Sequence, residues 1–99
     1  MGNLIVKNSA GQVAIIEVEV KQNGQTIKKL SGLCIPNGDQ SDPITLNGGL
    51  YEVTVKVKDK GGNILQDTKQ VIVPKEGEYV HVVPPLPEEE KTSVPLNLV

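Results

Sequence analysis

Histidine and cysteine, the side chains most often used for acid–base and nucleophilic chemistry near neutral pH, occur once each in this sequence. His81 lies in a predicted strand, with Tyr79 two residues earlier on the same face. A histidine acts as a general base only when a nucleophile or an orienting acid lies within hydrogen-bond reach, and no such partner stands at a recognisable spacing. We therefore predict that His81 is a structural or solvent-facing residue.

Cys34 lies between two apolar residues, Leu33 and Ile35. A nucleophilic thiolate requires nearby positive charge and a histidine partner, and the surrounding sequence supplies neither. A free cysteine is most often a small buried residue, so the sequence predicts that Cys34 fills the core. A single cysteine also excludes an internal disulfide framework.

The loop Asn37–Asp42 carries several oxygen ligands within six residues, which raises the possibility of a calcium site. It lacks the full Asp-x-Asp-x-Asp-Gly spacing and the closing glutamate of a calcium loop. Hydrogen bonding of Asn and Asp side chains to the local backbone explains their presence equally well. The glycine pairs Gly48-Gly49 and Gly61-Gly62 open no helix and precede no Lys-Ser/Thr, so they are interpreted as turns rather than phosphate loops. The sequence therefore predicts no catalytic residue, no metal and no cofactor, and we expect a protein that is not an enzyme.

The element that organises the chain is a predicted strand within residues 46–58, which follows a turn at Asn47-Gly48-Gly49. From Tyr51 to Lys58, apolar and polar side chains alternate strictly, as a strand with one buried face requires. The alternation also predicts which residues line the sheet interior. They are Ile16, Val18, Val20, Tyr51, Val53, Val55, Val57, Val71 and Val73.

Six further short segments have strand character and are separated by turn residues. The predicted strands are 3–8, 13–21, 26–30, 44–46, 64–73 and 78–83. Asn23-Gly24 between two alternating runs is a strong hairpin signal. In residues 64–73 the apolar side chains do not keep to one parity, which predicts a bulge or an exposed middle in this strand. Leu33–Ile35 is left open as a continuation of the third strand or a switch between sheets.

The length of 99 residues allows one domain. Residues 1–83 contain nine lysines and nine acidic residues, no arginine occurs, and Tyr51 and Tyr79 are the only aromatic residues. This neutral, aromatic-poor surface argues against nucleic-acid binding. We expect an all-β domain over residues 1–83, a single antiparallel immunoglobulin-like sandwich of about seven strands. A small closed barrel is the alternative.

Residues 84–99 differ from the rest in composition and are predicted to form an extended, proline-rich, acidic tail. Three glutamates, Glu88–Glu90, account for the net negative charge of the chain. The apolar residues at both ends of the tail suggest an interaction arm rather than a solvated end. The predicted partner-binding residues are Pro84, Pro85, Leu86, Val94, Leu96, Leu98 and Val99.

The pattern Gly49-x-Tyr51-x-Val53-x-Val55, followed by Asp59 and then Gly62-Asn63, resembles one found in small bacterial and viral immunoglobulin-like modules. It looks most like carboxypeptidase-regulatory-like and transthyretin-like domains, and the resemblance extends over residues 13–73. It implies adhesion, assembly or accessory roles, and no active site to transfer.

The sequence starts with neither a basic leader nor a long apolar run, so we expect a protein made in the cytoplasm without a signal peptide. A secreted protein with its leader removed is the alternative. We expect a non-catalytic assembly protein, oligomeric or part of a larger assembly, whose partners are further copies of itself or a capsid or shell protein. We expect no membrane or nucleic-acid partner. A virion-surface subunit (capsid decoration, tail or fibre) is favoured, and a binding or adhesion module of a cellular complex is the alternative.

Overall fold

The computed structural model describes residues 1–85, and all of the regular structure within them is β-strand. The chain forms seven strands. They are β1 (Gly2–Asn8), β2 (Val13–Gln22), β3 (Gln25–Leu30), β4 (Ile44–Leu46), β5 (Gly49–Asp59), β6 (Ile64–Val73) and β7 (Gly77–Val83). The all-β prediction is confirmed, and each predicted strand is present with bounds shifted by a residue or two. No helix in this part of the chain is long and apolar enough to cross a membrane.

The strands form two separate sheets rather than one closed sheet. The larger sheet has the order β3-β2-β5-β6, and all its neighbours are antiparallel. The smaller sheet has the order β4-β1-β7, in which β1 pairs antiparallel with β4 and parallel with β7. The prediction of a wholly antiparallel fold is therefore wrong for β7, which runs beside β1 from Gly2↔Gly77 to Asn8↔Val83.

Local turn chemistry accounts for two of the hairpins. Asn23 and Gly24 both have positive φ, 54° and 79°, which is the conformation that a two-residue type I′ turn requires. At the β5–β6 turn, the backbone N–H groups of Asn63 and Gly62 donate to the Asp59 side chain and carbonyl oxygen. Both predicted hairpins are confirmed.

An aliphatic core lies between the sheets, and both contribute to it. The side chains of the larger sheet that are almost fully buried include Val18, Val20, Val53, Val55 and Val57. From the smaller sheet come Leu4, Val6, Ile44, Leu46 and Val83. Burial of apolar area on this scale is the main stabilising contribution in a fold with so few aromatic residues.

The core prediction is wrong at Ile16. The β2–β5 register passes from Ile15↔Val57 to Glu17↔Lys56, so Ile16 is the extra residue of a β-bulge. The bulge reverses the phase of the first half of β2, so Ile15 is fully buried and Ile16 is only half-buried. The other eight predicted interior residues are buried.

The predicted exposed middle of β6 is confirmed. Residues 66–70 contain no buried side chain, whereas Val71 and Val73 are buried. The β5–β6 register is continuous from Gly49↔Val73 to Lys58↔Ile64, so β6 contains no bulge. Leu33–Ile35 continues the larger sheet, because Ile35 exchanges backbone hydrogen bonds with Ile15 of β2.

Candidate interaction edge

Four strands lie at sheet edges, β3 and β6 in the larger sheet and β4 and β7 in the smaller one. An edge strand presents unpaired backbone N–H and C=O groups to which another strand can add. Natural proteins block such edges with bulges, prolines, short strands or inward-pointing charges. The four edges of this fold differ in which of these devices they carry.

Two edges on one side of the fold are blocked. The pairing of β3 with β2 shifts register between Val20 and Lys21, so Ile27 of β3 forms a bulge. Lys28 lies opposite Val20, so it points to the core face, but its side chain stays exposed. The β4 strand is only three residues long and directly follows Pro43. Neither edge offers a regular ladder of useful length.

The third edge, β6, is blocked by charge. Asp67 and Lys69 lie opposite Val55 and Val53, so their side chains point to the interior face of the larger sheet. A strand added to β6 would have to desolvate both charged groups.

The fourth edge, β7, is the least protected of the four, because its one lysine or acidic residue, Glu78, lies near its start and Pro84-Pro85 lie beyond its end. It has seven residues in unbroken register with β1, and neither lysine nor proline lies within it. Its outward face carries Val80 and Val82, whose side chains are 45% and 46% exposed. Such an edge, flanked by exposed apolar side chains, is suited to adding a strand from another segment.

One hydrogen bond shows which backbone N–H and C=O groups of β7 face β1 and which face the open edge. The carbonyl oxygen of Val83 accepts from the backbone N–H of Ser9, 3.1 Å away, at the end of β1. Because successive residues of a strand direct their N–H and C=O groups to opposite sides, Tyr79 and His81 also face β1. The N–H and C=O groups of Val80 and Val82 therefore face the open edge, where no strand of residues 1–85 pairs with them.

The predicted tail begins where β7 ends. Pro84 and Pro85 directly follow Val83, and both are exposed. The other predicted partner-binding residues lie outside the described residues. These are Leu86, Val94, Leu96, Leu98 and Val99.

His81 lies on the interior face of β7 and is only 3% exposed. Its Nε2 lies 3.9 Å from Oδ2 of Asp67 on β6 and is the one buried side-chain nitrogen or oxygen without a hydrogen-bond partner in residues 1–85. Burial lowers the pKa of His81 below its usual value. The Asp67 carboxylate opposes this shift and Lys69 adds to it. His81 is therefore buried rather than solvent-facing, and it lies in a polar seam between β6 and β7.

The prediction that Cys34 fills the core is wrong, because its side chain is exposed. Alternation turns Cys34 outward between half-buried Leu33 and buried Ile35. It lines an open groove of 630 Å³ between β3 and β4, together with Leu30 and Pro43.

In the Asn37–Asp42 loop, the polar groups that would ligate a cation are partly used by the fold. Asn37 Oδ1 accepts from the backbone N–H of Gly11, and the Asp39 carbonyl oxygen accepts from the N–H of Asn8. The buried hydroxyl of Ser41 accepts from the N–H of Val6. Within residues 1–85, no three His, Cys, Asp or Glu side chains cluster as a metal site would require.

Sequence reasoning missed the open edge of β7. The strand itself was visible in the alternation of residues 78–83, but its edge position depends on a parallel pairing with β1, more than seventy residues earlier in the chain. No local signal encodes such a pairing. The absence of lysine and proline within the strand was the one usable clue.

Comparisons of the chain with protein-family models, with curated proteins and with solved structures found no match.

Proposed function

We propose that this chain is a non-catalytic, immunoglobulin-like subunit of a larger assembly, which it joins through residues 84–99. The observation that carries the proposal is the position of the exposed pair Pro84-Pro85. They leave the fold at the end of β7, which is the least protected sheet edge. An extended arm that starts there begins at the periphery of the domain and can reach a neighbouring molecule without unfolding any strand.

The order of the strands supports an immunoglobulin-like sandwich. In that fold, strands C and F lie at the centre of one sheet, beside C′ and G, while B and E pair in the other. With β1 as B, β2 as C, β3 as C′, β4 as E, β5 as F and β6 as G, the two sheets have this arrangement. Strand β7 then takes the place of strand A, but it runs parallel to its neighbour.

A side-chain hydrogen bond supports the same assignment. Tyr51, at the start of β5, donates through its hydroxyl to the carbonyl oxygen of Asn47, 2.7 Å away. A tyrosine near the start of strand F that bonds back to the backbone a few residues upstream is the tyrosine corner of immunoglobulin-like folds.

The virion surface is the assembly that we favour. The only cysteine of the chain is exposed and unpaired, so the domain needs no disulfide and can fold under the reducing conditions of a cell interior, where virus shells assemble. Deletion of residues 86–99 tests the role of the arm. The truncated protein should keep its melting temperature but lose its place in the assembly, measured by sedimentation of particles with and without the full-length chain.

A truncated protein that still joined the assembly would contradict this role.

The second candidate function is a binding module of a cellular complex, which the exposed groove between β3 and β4 favours. A full-length chain that stays monomeric at micromolar concentration, and whose isolated 1–85 domain binds the partner unaided, would favour the module.

A further inference from the structure

We propose that the open edge of β7 receives residues 94–98 of a second copy of this chain as an added antiparallel strand. This inference rests on the proposed function, because it names the docking surface for the arm. The occupant is chosen by three properties of the sequence outside the described residues: its apolar alternation, the position of Pro95, and the length of chain that connects it to β7.

The alternation matches the exposed face of β7. Val94, Leu96 and Leu98 share one parity, and an added strand with these residues on the outward face sets them beside Val80 and Val82. The register with Leu96 opposite Val82 and Leu98 opposite Val80 buries both exposed valines. Cross-strand aliphatic pairs of this kind stabilise sheet pairing.

Pro95 fits this register because of the backbone directions in β7. In an antiparallel pair, the residues opposite Val80 and Val82 exchange N–H···O bonds with them, and the residues between point away. Leu96 and Leu98 each have the N–H that is needed. Pro95 has none, and it falls at a position whose N–H would face solvent, which is where edge strands tolerate proline.

A parallel strand with Leu96 opposite Val82 would lose a bond at the same proline. In a parallel ladder, the bonds to each β7 residue come from the neighbours of the residue opposite it. With Leu96 opposite Val82, Val94 lies opposite Val80, and the donor to the Val80 carbonyl oxygen would be Pro95, which has no N–H.

The antiparallel register also accounts for the seam beside β7. Asn97 lies opposite His81, whose buried Nε2 has no hydrogen-bond partner. The added strand thus covers both faces of β7. Asn97 covers the polar face at His81, and the leucines cover the apolar face.

The length of the connection assigns the strand to a second copy. Three prolines and three glutamates in residues 84–90 favour extended chain, which would place residue 90 about 19 Å from residue 84 at roughly 3.1 Å per residue. To pair with β7 of its own molecule, the chain would have to return from residue 90 to a point opposite Pro84. The four steps from residue 90 to residue 94 span at most about 14 Å, which is shorter than that distance.

The test uses the full-length chain, with its mass measured by sedimentation equilibrium across micromolar concentrations. Val82→Lys, which adds charge to the open edge, should weaken self-association at least about tenfold. Leu50→Lys is the matched control, because Leu50 is 52% exposed on β5, which is not an edge strand. It should leave self-association within about threefold of the unmodified chain.

Two proline substitutions test the register itself. Leu96→Pro removes an N–H that bonds to Val82 and should abolish association, whereas Asn97→Pro removes one that faces away and should preserve it. Amide hydrogen exchange adds a second measurement. The amides of Val80 and Val82 should become protected as concentration rises, while those of Tyr79 and His81, which face β1, should not change.

The outcomes separate this inference from the proposed function. A full-length chain that is monomeric throughout, or β7 protection that is independent of concentration, overturns docking on a second copy. Association that is lost on deletion of residues 86–99 but survives both Val82→Lys and Leu96→Pro overturns the β7 edge and leaves the arm in place. Association that survives the deletion overturns both proposals.

Discussion

The side-chain amide of Asn8 donates a 2.8 Å hydrogen bond to the carbonyl oxygen of Val13, joining the last residue of β1 to the first residue of β2 in the other sheet. The same amide donates to the carbonyl oxygen of Ile35, and its Oδ1 accepts from the N–H of Ala10. Asn8 is fully buried. A buried amide in which both N–H donors and the oxygen are bonded stabilises the fold that supplies its partners.

Replacing Asn8 with alanine should therefore destabilise the protein by about 2 kcal/mol or more, because buried backbone groups lose their partners. The free energy of unfolding in urea measures this cost. Asn3→Ala is the control. Within residues 1–85, the Oδ1 of Asn3 accepts only from the exposed Thr45 hydroxyl, so its loss should change stability by less than about 0.5 kcal/mol. Equal losses for both variants would show that Asn8 does not have this role.

The burial of Asn8 and its hydrogen-bond partners could not be predicted from the sequence, whereas local patterns could. The alternation of Tyr51 to Lys58 and the Asn23-Gly24 turn are local patterns, and the structure confirms both. The partners of Asn8 come from three separate segments, and a polar residue at a strand end gives no sign of burial. For the candidate edge, local alternation identified β7, but only the long-range pairing with β1 shows which side stays open.

The bulge in β2 gives a direct test of the corrected core. Ile15→Ala should cost about 2–5 kcal/mol, since Ile15 is fully buried and truncation leaves a cavity. Ile16→Ala, one residue later and half-buried, should cost clearly less. Urea unfolding of the two variants measures the difference. A larger loss for Ile16→Ala than for Ile15→Ala would show that Ile16 faces the core, as unbroken alternation along β2 predicts.

Tyr51→Phe keeps the buried ring and removes only the hydroxyl that bonds to Asn47. The expected loss is about 1 kcal/mol, typical of one hydrogen bond, without a change of fold. Thermal unfolding with an unchanged far-ultraviolet spectrum measures it. Tyr79→Phe is the control, because Tyr79 is only partly buried at the core margin. A stability unchanged by Tyr51→Phe would remove the tyrosine corner as support for the immunoglobulin-like assignment.

Cys34 should react in the folded protein because its side chain is exposed. We expect a thiol reagent such as dithionitrobenzoate to modify one thiol per chain at a rate close to that in urea. Leu33→Cys in a Cys34→Ser background is the matched comparison, since Leu33 packs against the core and should react more slowly. A native thiol that reacts only after unfolding would show that Cys34 is buried after all.

His81 should make stability depend on pH. Its folded-state pKa is lowered from the usual 6.5, first by burial and then by Lys69, against the opposing effect of Asp67. The unfolded chain therefore binds a proton more readily than the folded chain below pH 6.5, and stability falls as the pH decreases through that window. Because the chain contains one histidine, its ring proton resonances report the titration directly, and their midpoint should lie below 6.5.

Two variants isolate the groups that face His81 across the seam. His81→Gln should flatten the pH dependence of the urea midpoint between about pH 7.5 and 5, because no other side chain has its usual pKa near 6.5. Asp67→Asn removes the carboxylate that favours protonation, so the pKa of His81 should fall further and the loss of stability on acidification should grow. A ring titration at or above pH 6.5 in the unmodified protein would show that the Asp67 carboxylate outweighs burial in setting the pKa of His81.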